Sequence, residues 1–162
     1  MQRGFEQISQ KQWDNDFHNI LEMHQVDYPK HQLPKRGSKN SAGYDFFSPI
    51  NEIIPAHGTV KIPTGVKVYM QPDEVLMIYP RSSIGFKTNI RLSNTTGVID
   101  SDYYNNPDNE GHMWIKFYNP TDEEYHIHIG DKIAQGIFTK FLVTDDDNAD
   151  QDRTGGLGST GK

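Results

Sequence analysis

The segment Val66-Lys67-Val68-Tyr69-Met70-Gln71-Pro72-Asp73-Glu74-Val75-Leu76-Met77-Ile78-Tyr79 predicts two short β-strands joined by a turn. Its apolar runs contain β-branched and aromatic residues, and Gln71-Pro72-Asp73 between them is typical of a turn. Similar runs precede it at Ile53-Ile54 and Val60-Lys61-Ile62. Short strands at this regular spacing predict a sandwich, jelly roll or barrel.

The second half of the chain continues the same pattern. Further strands are expected at residues 90–92, 96–100, 112–118, 124–129 and 133–143. A hairpin between the 96–100 and 112–118 strands would leave backbone groups at its mouth free to bind a flat ligand edge. The sequence therefore predicts an all-β fold, with its polar segments in the connections.

The two ends of the chain differ from this β body. Trp13, Phe17, Ile20, Leu21 and His24 recur at helical spacing, which predicts an amphipathic helix inserted at about residues 10–28. Such a helix packs on its own domain or docks a partner protein. Residues 144–152 are rich in aspartate and are expected to form a solvated linker, and residues 153–162 form a glycine-rich C-terminal arm that we expect to be flexible.

Length and charge narrow the class of protein. The 162 residues are most simply one domain, residues 1–162, and the formal net charge of −6 argues against direct nucleic-acid binding. The absence of cysteine excludes disulfides, thiolate metal sites and a cysteine nucleophile. No apolar run reaches the length of about 18 residues that a membrane span needs. We expect a cytoplasmic protein.

The C-terminal arm has residue types that suit a polyphosphate. Glycine lets backbone N–H groups approach an anion closely, while Arg153, Ser159 and Thr160 supply a guanidinium group and two hydroxyls. The alternative is a flexible Gly/Ser terminus with no ligand. An arm of this kind needs a rigid body with a site that it can cover.

Several polar residues of the β body, when each is taken alone, also have a structural explanation that involves no ligand. Asp45 suits a turn, Asp100 and Asp102 suit a loop cap, and Ser82 and Ser83 suit a helix cap. Gln135 suits a chance polar position in a strand. Taken together, such residues supply acids for a metal, donors for phosphates and a candidate general base.

Five separated segments together resemble the homotrimeric dUTPase family. They are Ala42-Gly43-Tyr44-Asp45, Pro80-Arg81-Ser82-Ser83 with Lys87, Gly97-Val98-Ile99-Asp100-Ser101-Asp102-Tyr103, Gly130-Asp131-Lys132-Ile133-Ala134-Gln135, and Arg153 through Gly161. The resemblance implies a jelly-roll-like β-barrel or sandwich subunit and a homotrimer with sites at its subunit junctions. It implies Mg²⁺-dependent hydrolysis of dUTP to dUMP and pyrophosphate, which limits uracil incorporation into DNA and supplies dUMP for thymidylate synthesis.

The resemblance also implies roles for individual residues. Asp100 is the expected base that activates the attacking water, and Gln135 helps to place the water or a phosphate oxygen. Asp45 is expected to hold Mg²⁺ through water. The expected triphosphate ligands in the body are Arg81, Ser82 and Ser83.

The base, the sugar and the arm have implied contacts as well. Tyr103 is expected to lie against the deoxyribose and so refuse a 2′-hydroxyl. The uracil edge is expected to meet Asn94, Trp114 and the backbone of Gly97, Val98, Ile99 and Asp100. The arm is expected to cover a neighbouring subunit's site through Arg153, Leu157, Gly158, Ser159 and Thr160.

The chain departs from the family pattern in three places. Leu157 replaces a usual aromatic residue over the base, Tyr104-Asn105-Asn106 replaces the usual basic residue and glycine, and the inserted helix lies outside the resemblance. Two other functions remain open on the sequence. One is the related dCTP deaminase, and the other is a dUTPase-like regulatory protein that binds a repressor or another partner through the inserted helix.

Overall fold

The computed structural model describes residues 2–16, 32–151, 153 and 155, and most of its regular structure is strand. A helix, α1, is described over residues 10–16. The other elements are β1 (Gly4–Gln7), β2 (Lys35–Arg36), β3 (Tyr44–Phe47), β4 (Glu52–Ile54), β5 (Thr59–Pro63), β6 (Val66–Tyr69), β7 (Glu74–Pro80), α2 (Gly85–Thr88), β8 (Arg91–Leu92), β9 (Gly97–Asp100), a 3-10 turn (Ser101–Tyr103), β10 (Trp114–Tyr118), β11 (Tyr125–Ile127) and β12 (Lys132–Lys140). The predicted all-β class is confirmed.

The largest sheet has five strands in the order β2-β3-β12-β7-β9. Strand β7 lies between β12 and β9 and pairs antiparallel with both. One face of this sheet is apolar and closely packed, because alternate residues such as Phe46, Leu76 and Ile78 are at most 3% exposed. The other face carries Asp45, Gln135 and Asp100, so the sheet positions three of the predicted site residues.

The remaining strands cover the apolar face. They form a three-stranded sheet, β5-β10-β8, and two two-stranded sheets, β1-β6 and β11-β4. Ile62 and Phe117 of the three-stranded sheet belong to the same hydrophobic cluster as Phe46 and Leu76 of the large sheet. Strands packed in layers around one cluster give the jelly-roll-like sandwich that the sequence predicted.

The predicted hairpin between the strands at 96–100 and 112–118 is wrong. Strand β9 pairs with β7, whereas β10 pairs with β5 and β8 in the other sheet. The physical reason is burial: Ile115 and Phe117 of β10 are nearly inaccessible and complete the three-stranded layer. Residues 101–113 therefore connect two sheets.

Helix α1 is packed against the body through one side. Ser9 caps it, because the Ser9 hydroxyl accepts a hydrogen bond from the Gln12 backbone N–H at 3.1 Å. Trp13 is 0% exposed and belongs to the core, which confirms that it serves helix packing. The predicted continuation of this helix beyond residue 16 falls on residues 17–31, outside the described residues.

An ion pair ties the N-terminal strand region to β7. Arg3 Nε donates to both carboxylate oxygens of Glu74 at 3.0 Å, and Glu74 is 4% exposed. The hydrogen bonds from Arg3 hold the pKa of Glu74 below its ordinary value of 4.5. A depressed carboxyl pKa stabilises the fold at neutral pH, and that stabilisation is lost as the pH falls through 4.5 and below.

Arg3→Ala is therefore expected to lower the melting temperature at neutral pH by removing the partner of a buried carboxylate. The difference in melting temperature between Arg3→Ala and the wild type should become smaller when the pH falls below about 4, because a protonated Glu74 needs no cationic partner. Thermal unfolding at both pH values checks this, with Lys116→Ala, at an exposed position of β10, as a control. A difference in melting temperature that is the same at both pH values would contradict a stabilising ion pair between Arg3 and Glu74.

The segment before the arm and the lengths of the helices complete the description of the fold. Residues 144–151, part of the predicted acidic linker, are exposed and contain no helix or strand. In the part of the chain that the structure describes, every helix is too short to cross a membrane.

Candidate active site

The first group of predicted site residues surrounds Asp45, and we call Asp45, Arg81, Lys132 and Gln135 the Asp45 cluster. Asp45 is 3% exposed and forms ion pairs with Arg81 and with Lys132, whose Nζ lies 3.0 Å from Asp45 Oδ2. Strand register explains the grouping, since Gln135 of β12 lies opposite Asp45 of β3 and opposite Tyr79 of β7. The cluster brings together three of the five family-like segments.

Gln135 has a defined orientation within this cluster. Its side-chain Nε2 donates to the Pro80 carbonyl at 3.1 Å. A Cβ atom placed on Gly43 would lie 2.5 Å from Gln135 Oε1, so Gly43 leaves the room that this amide occupies. Gln135 is thus held by its neighbours and is not a chance polar residue on the strand.

The two serines lie on the connection that follows β7. The backbone carbonyl of Ser82 accepts hydrogen bonds from Phe86 and Lys87 at 3.2 Å, which begins the short helix α2. Both serines are exposed, and among the described residues no side chain caps α2. Helix capping therefore does not account for Ser82 and Ser83, which are exposed residues that follow Arg81 in the chain.

An open depression of about 460 Å³ lies next to this connection. Arg81, Ser83, Gly130 and Lys132 contribute to its lining. Asp131 also contributes to the lining, so Arg81 and Lys132 lie there beside one carboxylate and both pair with a second, that of Asp45. Guanidinium and ammonium groups of this kind bind phosphate groups in proteins.

The second group of predicted site residues surrounds Asp100, and we call Asp100, Asp102, Tyr103 and Arg153 the Asp100 cluster. Arg153 Nη2 lies 3.4 Å from Asp100 Oδ2, and Arg153 Nε lies 3.3 Å from Asp102 Oδ1. The guanidinium group lies 5.4 Å above the Tyr103 ring. The start of the arm thus contacts the predicted base and the predicted sugar-binding residue of its own chain.

Asp100 is available for chemistry in this cluster. Its side chain is 54% exposed, and it makes no capping hydrogen bond to the 3-10 turn that follows it. Tyr103 is buried beside it, and burial raises the pKa of Tyr103 above its ordinary value of 10. The tyrosine therefore keeps its proton at neutral pH and acts as a neutral surface and hydrogen-bond donor.

The two clusters are well separated within one subunit. Asp100 lies opposite Val75 at the start of β7, whereas Gln135 lies opposite Tyr79 at its end. Four residues along a strand span about 13 Å, and β9 and β12 flank β7 on opposite sides. One small substrate therefore cannot touch Asp100 and Gln135 of the same subunit at a common atom.

The surface between the clusters is apolar and poorly covered. Paired residues of antiparallel strands share a face, so Asp100, Val98 and Gln135 lie on the same outer face of the sheet. On this face Val98 is 57% exposed, and Met77, Tyr79 and Ile137 are half-buried. An exposed apolar strip of this kind is typical of an interface with another protein chain.

The predicted uracil-binding residues lie on the connection between β8 and β9, on β9 itself and at the start of β10. The Asn94 side-chain nitrogen would lie 3.9 Å from a Cβ on Gly97, so the two residues adjoin. Ser93 N–H donates to the Lys116 carbonyl at 2.9 Å, which carries the pairing of β8 with β10 towards Trp114. Trp114 itself packs against His112, with ring centroids 5.2 Å apart.

The Asp45 cluster offers a magnesium ion one carboxylate, that of Asp45, which also pairs with Arg81 and Lys132. No group of three or more His, Asp or Glu side chains among the described residues converges as a metal site. Asp45 offers one carboxylate in contact with Arg81 and Lys132, and Mg²⁺ commonly binds proteins through one or two carboxylates together with water and substrate phosphates. The residues present therefore suit an ion that is carried mainly by phosphate oxygens.

Comparison with known proteins identifies the family. The family model for dUTPase matches residues 30–161. A curated deoxyuridine 5′-triphosphate nucleotidohydrolase of Lactococcus lactis subsp. lactis (strain IL1403) is 52% identical over 132 residues, which cover 80% of this chain and 87% of that protein.

The chain belongs to the dUTPase family.

Solved dUTPase structures agree with this membership. A dUTPase from Streptococcus mutans is 39% identical and superposes with a TM-score of 0.72, covering 88% of this chain and 98% of that one. A mutant dUTPase from phage phi11 of S. aureus is 20% identical, with a TM-score of 0.66 and coverage of 93% and 98%, and supports the fold alone. That phage structure is described as showing the coordination of a structural Mg(II) ion.

The structure brings some predicted dUTPase residues together and leaves others untested. Asp45, Arg81 and Gln135 form one cluster, and Asp100, Tyr103 and Arg153 form another. Leu157, Gly158, Ser159 and Thr160 lie outside the described residues. Sequence reasoning assigned no role to Lys132, although it follows Gly130-Asp131 in a family-like segment, which was a usable signal. It also missed the contact of Asp102 with Arg153.

Proposed function

We propose that this member of the dUTPase family hydrolyses dUTP to dUMP and pyrophosphate. The observation that carries the proposal is the family match over residues 30–161, which contains the Asp45 cluster, the Asp100 cluster and the arm. In a cell, this reaction would limit uracil incorporation into DNA and supply dUMP for thymidylate synthesis.

The proposed working unit is a homotrimer with its sites at subunit junctions. The separation of the two clusters along β7 supports this arrangement, because one substrate needs both. The apolar strip with Val98 and Met77 on the same face supplies a surface for the neighbouring subunit. A closed head-to-tail ring would then place the Asp100 cluster of one subunit against the Asp45 cluster of the next.

At this junction Asp100 acts as the general base. Its carboxylate accepts a proton from a water aligned with the α-phosphorus, and the water oxygen attacks as the bond to the pyrophosphate oxygen breaks. The same carboxylate contacts the sugar 3′-hydroxyl. Gln135 of the neighbouring subunit places the water or a phosphate oxygen, and its fixed hydrogen bond to Pro80 supports that role.

The Asp45 cluster holds the triphosphate and its metal. Arg81 and Lys132 provide positive charge, and the hydroxyls of Ser82 and Ser83 donate to phosphate oxygens. Asp45 would hold Mg²⁺ through bound water. A magnesium ion held there would supply positive charge beside the phosphate oxygens.

Base, sugar and arm complete the proposed site. Tyr103 lies against the deoxyribose, and Asn94 with the backbone of β9 and the start of β10 at Trp114 binds the uracil edge. Arg153 begins an arm that covers a neighbour's site, where Leu157 and Gly158 lie over the base and Ser159 and Thr160 contact the γ-phosphate. In the structure Arg153 contacts Asp100 of its own chain, so the position of the arm over a neighbour's site rests on the resemblance to the family.

The alternative functions have weaker support. The curated relative from Lactococcus lactis is named a deoxyuridine 5′-triphosphate nucleotidohydrolase and not a dCTP deaminase. A partner-binding role for the inserted helix has no specific observation in its favour, because the described part buries Trp13 and Gln12 against its own body.

The proposal is tested by measuring pyrophosphate release from dUTP, dCTP, dTTP and UTP, with and without magnesium. We expect rapid release from dUTP with magnesium and little from the other three nucleotides. Ammonia release from dCTP would instead identify a deaminase. An absence of products from dUTP with magnesium would contradict the proposed function.

A further inference from the structure

The N-terminal segment, residues 2–16, is joined to the loop of residues 104–112, which directly follows the Asp100 cluster. Three contacts make the connection. Tyr104 donates its hydroxyl hydrogen to Glu6 at 2.6 Å, Ser9 donates its backbone N–H to Glu110 at 2.9 Å, and His112 bonds Asp16 at 2.5 Å. The dUTPase family match begins at residue 30, so this segment lies outside it. The start of the inserted helix and the loop that contains Tyr104-Asn105-Asn106, which both depart from the family pattern, therefore fold as one unit.

His112 is the buried centre of this unit. Its side chain is 0% exposed, and its Nε2 accepts a hydrogen bond from the Gly65 backbone N–H at 2.9 Å. An accepting Nε2 carries no proton, so the hydrogen of the neutral ring is on Nδ1 and is donated to Asp16 Oδ2. Both ring nitrogens are then satisfied, and the imidazole has one orientation between the body and α1.

The same residue holds Tyr103 through its backbone. The Tyr103 hydroxyl donates to the His112 carbonyl at 2.9 Å and accepts from Asn109 Nδ2 at 2.8 Å. Asn109 belongs to the loop that the N-terminal segment contacts. The position of the Tyr103 ring therefore depends on where His112 and the loop are held.

The carboxylate on α1 is itself fixed. Gln12 Nε2 donates to Asp16 Oδ2 at 2.9 Å, one helical turn away, and Ser9 caps the helix at its start. Asp16 is 20% exposed, so it reaches the buried imidazole from the rim of the body. A continuous set of hydrogen bonds thus runs from α1 through His112 to Tyr103.

We propose that Asp16 and His112 are positioning residues that set the Tyr103 ring for discrimination between deoxyribose and ribose. The inference rests on the proposed function, because it assigns Tyr103 to the sugar. In this account the inserted helix serves substrate selection through the loop that follows Asp100. A small displacement of Tyr103 away from the sugar would make room for a 2′-hydroxyl, and displacements of about 1 Å at a site are enough to change rates strongly.

The test compares Asp16→Ala with Asp16→Asn and Asp14→Ala. Alanine leaves the buried Nδ1–H of His112 without its acceptor, whereas asparagine retains an acceptor oxygen. Asp14 is the matched control, because it lies on the same helix, is exposed, and bonds Gln10 at 2.6 Å. The readout is the ratio of kcat/KM for dUTP to kcat/KM for UTP.

We expect Asp16→Ala to lower this ratio roughly tenfold, and Asp16→Asn and Asp14→Ala to keep it near the wild-type value. A lower melting temperature with an unchanged ratio would overturn the inference, since a purely structural role predicts that result. A wild-type protein that leaves dUTP intact would overturn the proposed function and this inference together. If all three variants keep the wild-type ratio of kcat/KM for dUTP to kcat/KM for UTP, the inference is overturned and the proposed function is not.

A second measurement does not depend on turnover. Imidazole ¹⁵N resonances of the full chain report which ring nitrogen of His112 carries hydrogen. The structure predicts the Nδ1–H form in the wild type and in Asp16→Asn, and a disturbed ring environment in Asp16→Ala. An Nε2–H form in the wild type would contradict the hydrogen-bond path.

Discussion

Asp100→Asn is expected to lower the turnover of dUTP roughly 10²–10⁴-fold, the range that a general base contributes. Asparagine has nearly the same shape but cannot accept the proton of the attacking water. Asp100 is 54% exposed and caps no element, so the variant is expected to fold normally. Arg153 retains its contact with Asp102, which keeps part of the Asp100 cluster in place.

Single-turnover pyrophosphate release measures this effect, and titration with a dUTP analogue that resists hydrolysis measures binding. The analogue should bind Asp100→Asn nearly as well as the wild type. Asp122→Asn is the control, because Asp122 is 97% exposed and contacts His57, outside both clusters. Turnover close to the wild-type rate in Asp100→Asn would refute the role of the base.

Truncation after residue 152 is expected to leave a folded trimer with at least about 100-fold less turnover. We propose that Arg153, like Ser159 and Thr160, contacts the γ-phosphate, and each charge-assisted contact of Arg153 that is lost is worth about 1.5–3 kcal/mol. The contacts of Ser159 and Thr160 are removed with it. Within the described residues, the hydrophobic cluster and the side chains packed on it extend only to Phe138, so the core does not need the arm.

Three measurements check the truncated protein: light scattering for the trimer, thermal unfolding for the fold and pyrophosphate release for the activity. Removal of Lys162 alone is the control, because it shortens the arm without touching the proposed contacts. Hydrolysis at the normal rate after truncation would remove the arm from the mechanism. A truncated protein that no longer forms a trimer would show that the arm serves assembly instead.

The strands could be predicted from the sequence because their signals are local. Apolar residues alternate along β6, and turn residues separate it from β7, so both strands lie where the pattern indicates. Pairing is not local: β9 joins β7 and β10 joins the other sheet, according to which side chains complete each layer. The expected hairpin was wrong for this reason, since sequence adjacency said nothing about Ile115 and Phe117.

The residues of the candidate site could be predicted from the sequence, but their separation into two clusters at opposite ends of β7 could not. Resemblance to the dUTPase family named Asp45, Gln135 and Asp100, and the structure adds that Asp100 lies at the opposite end of β7 from Gln135. The bond between Asp16 and His112 joins residues 96 positions apart and depends on the packing of α1. A buried histidine of this kind has no signature in the local sequence, because its partners come from distant elements.

The central claim is that each active site combines the Asp100 cluster of one subunit with the Asp45 cluster of another. Mixed trimers of Asp100→Asn and Arg81→Ala subunits, purified through two different tags, test it directly. Each mixed ring has one junction in three with both clusters intact, so we predict about one third of wild-type activity from two nearly inactive parents. Mixed trimers that remain as inactive as their parents would contradict a site shared between subunits.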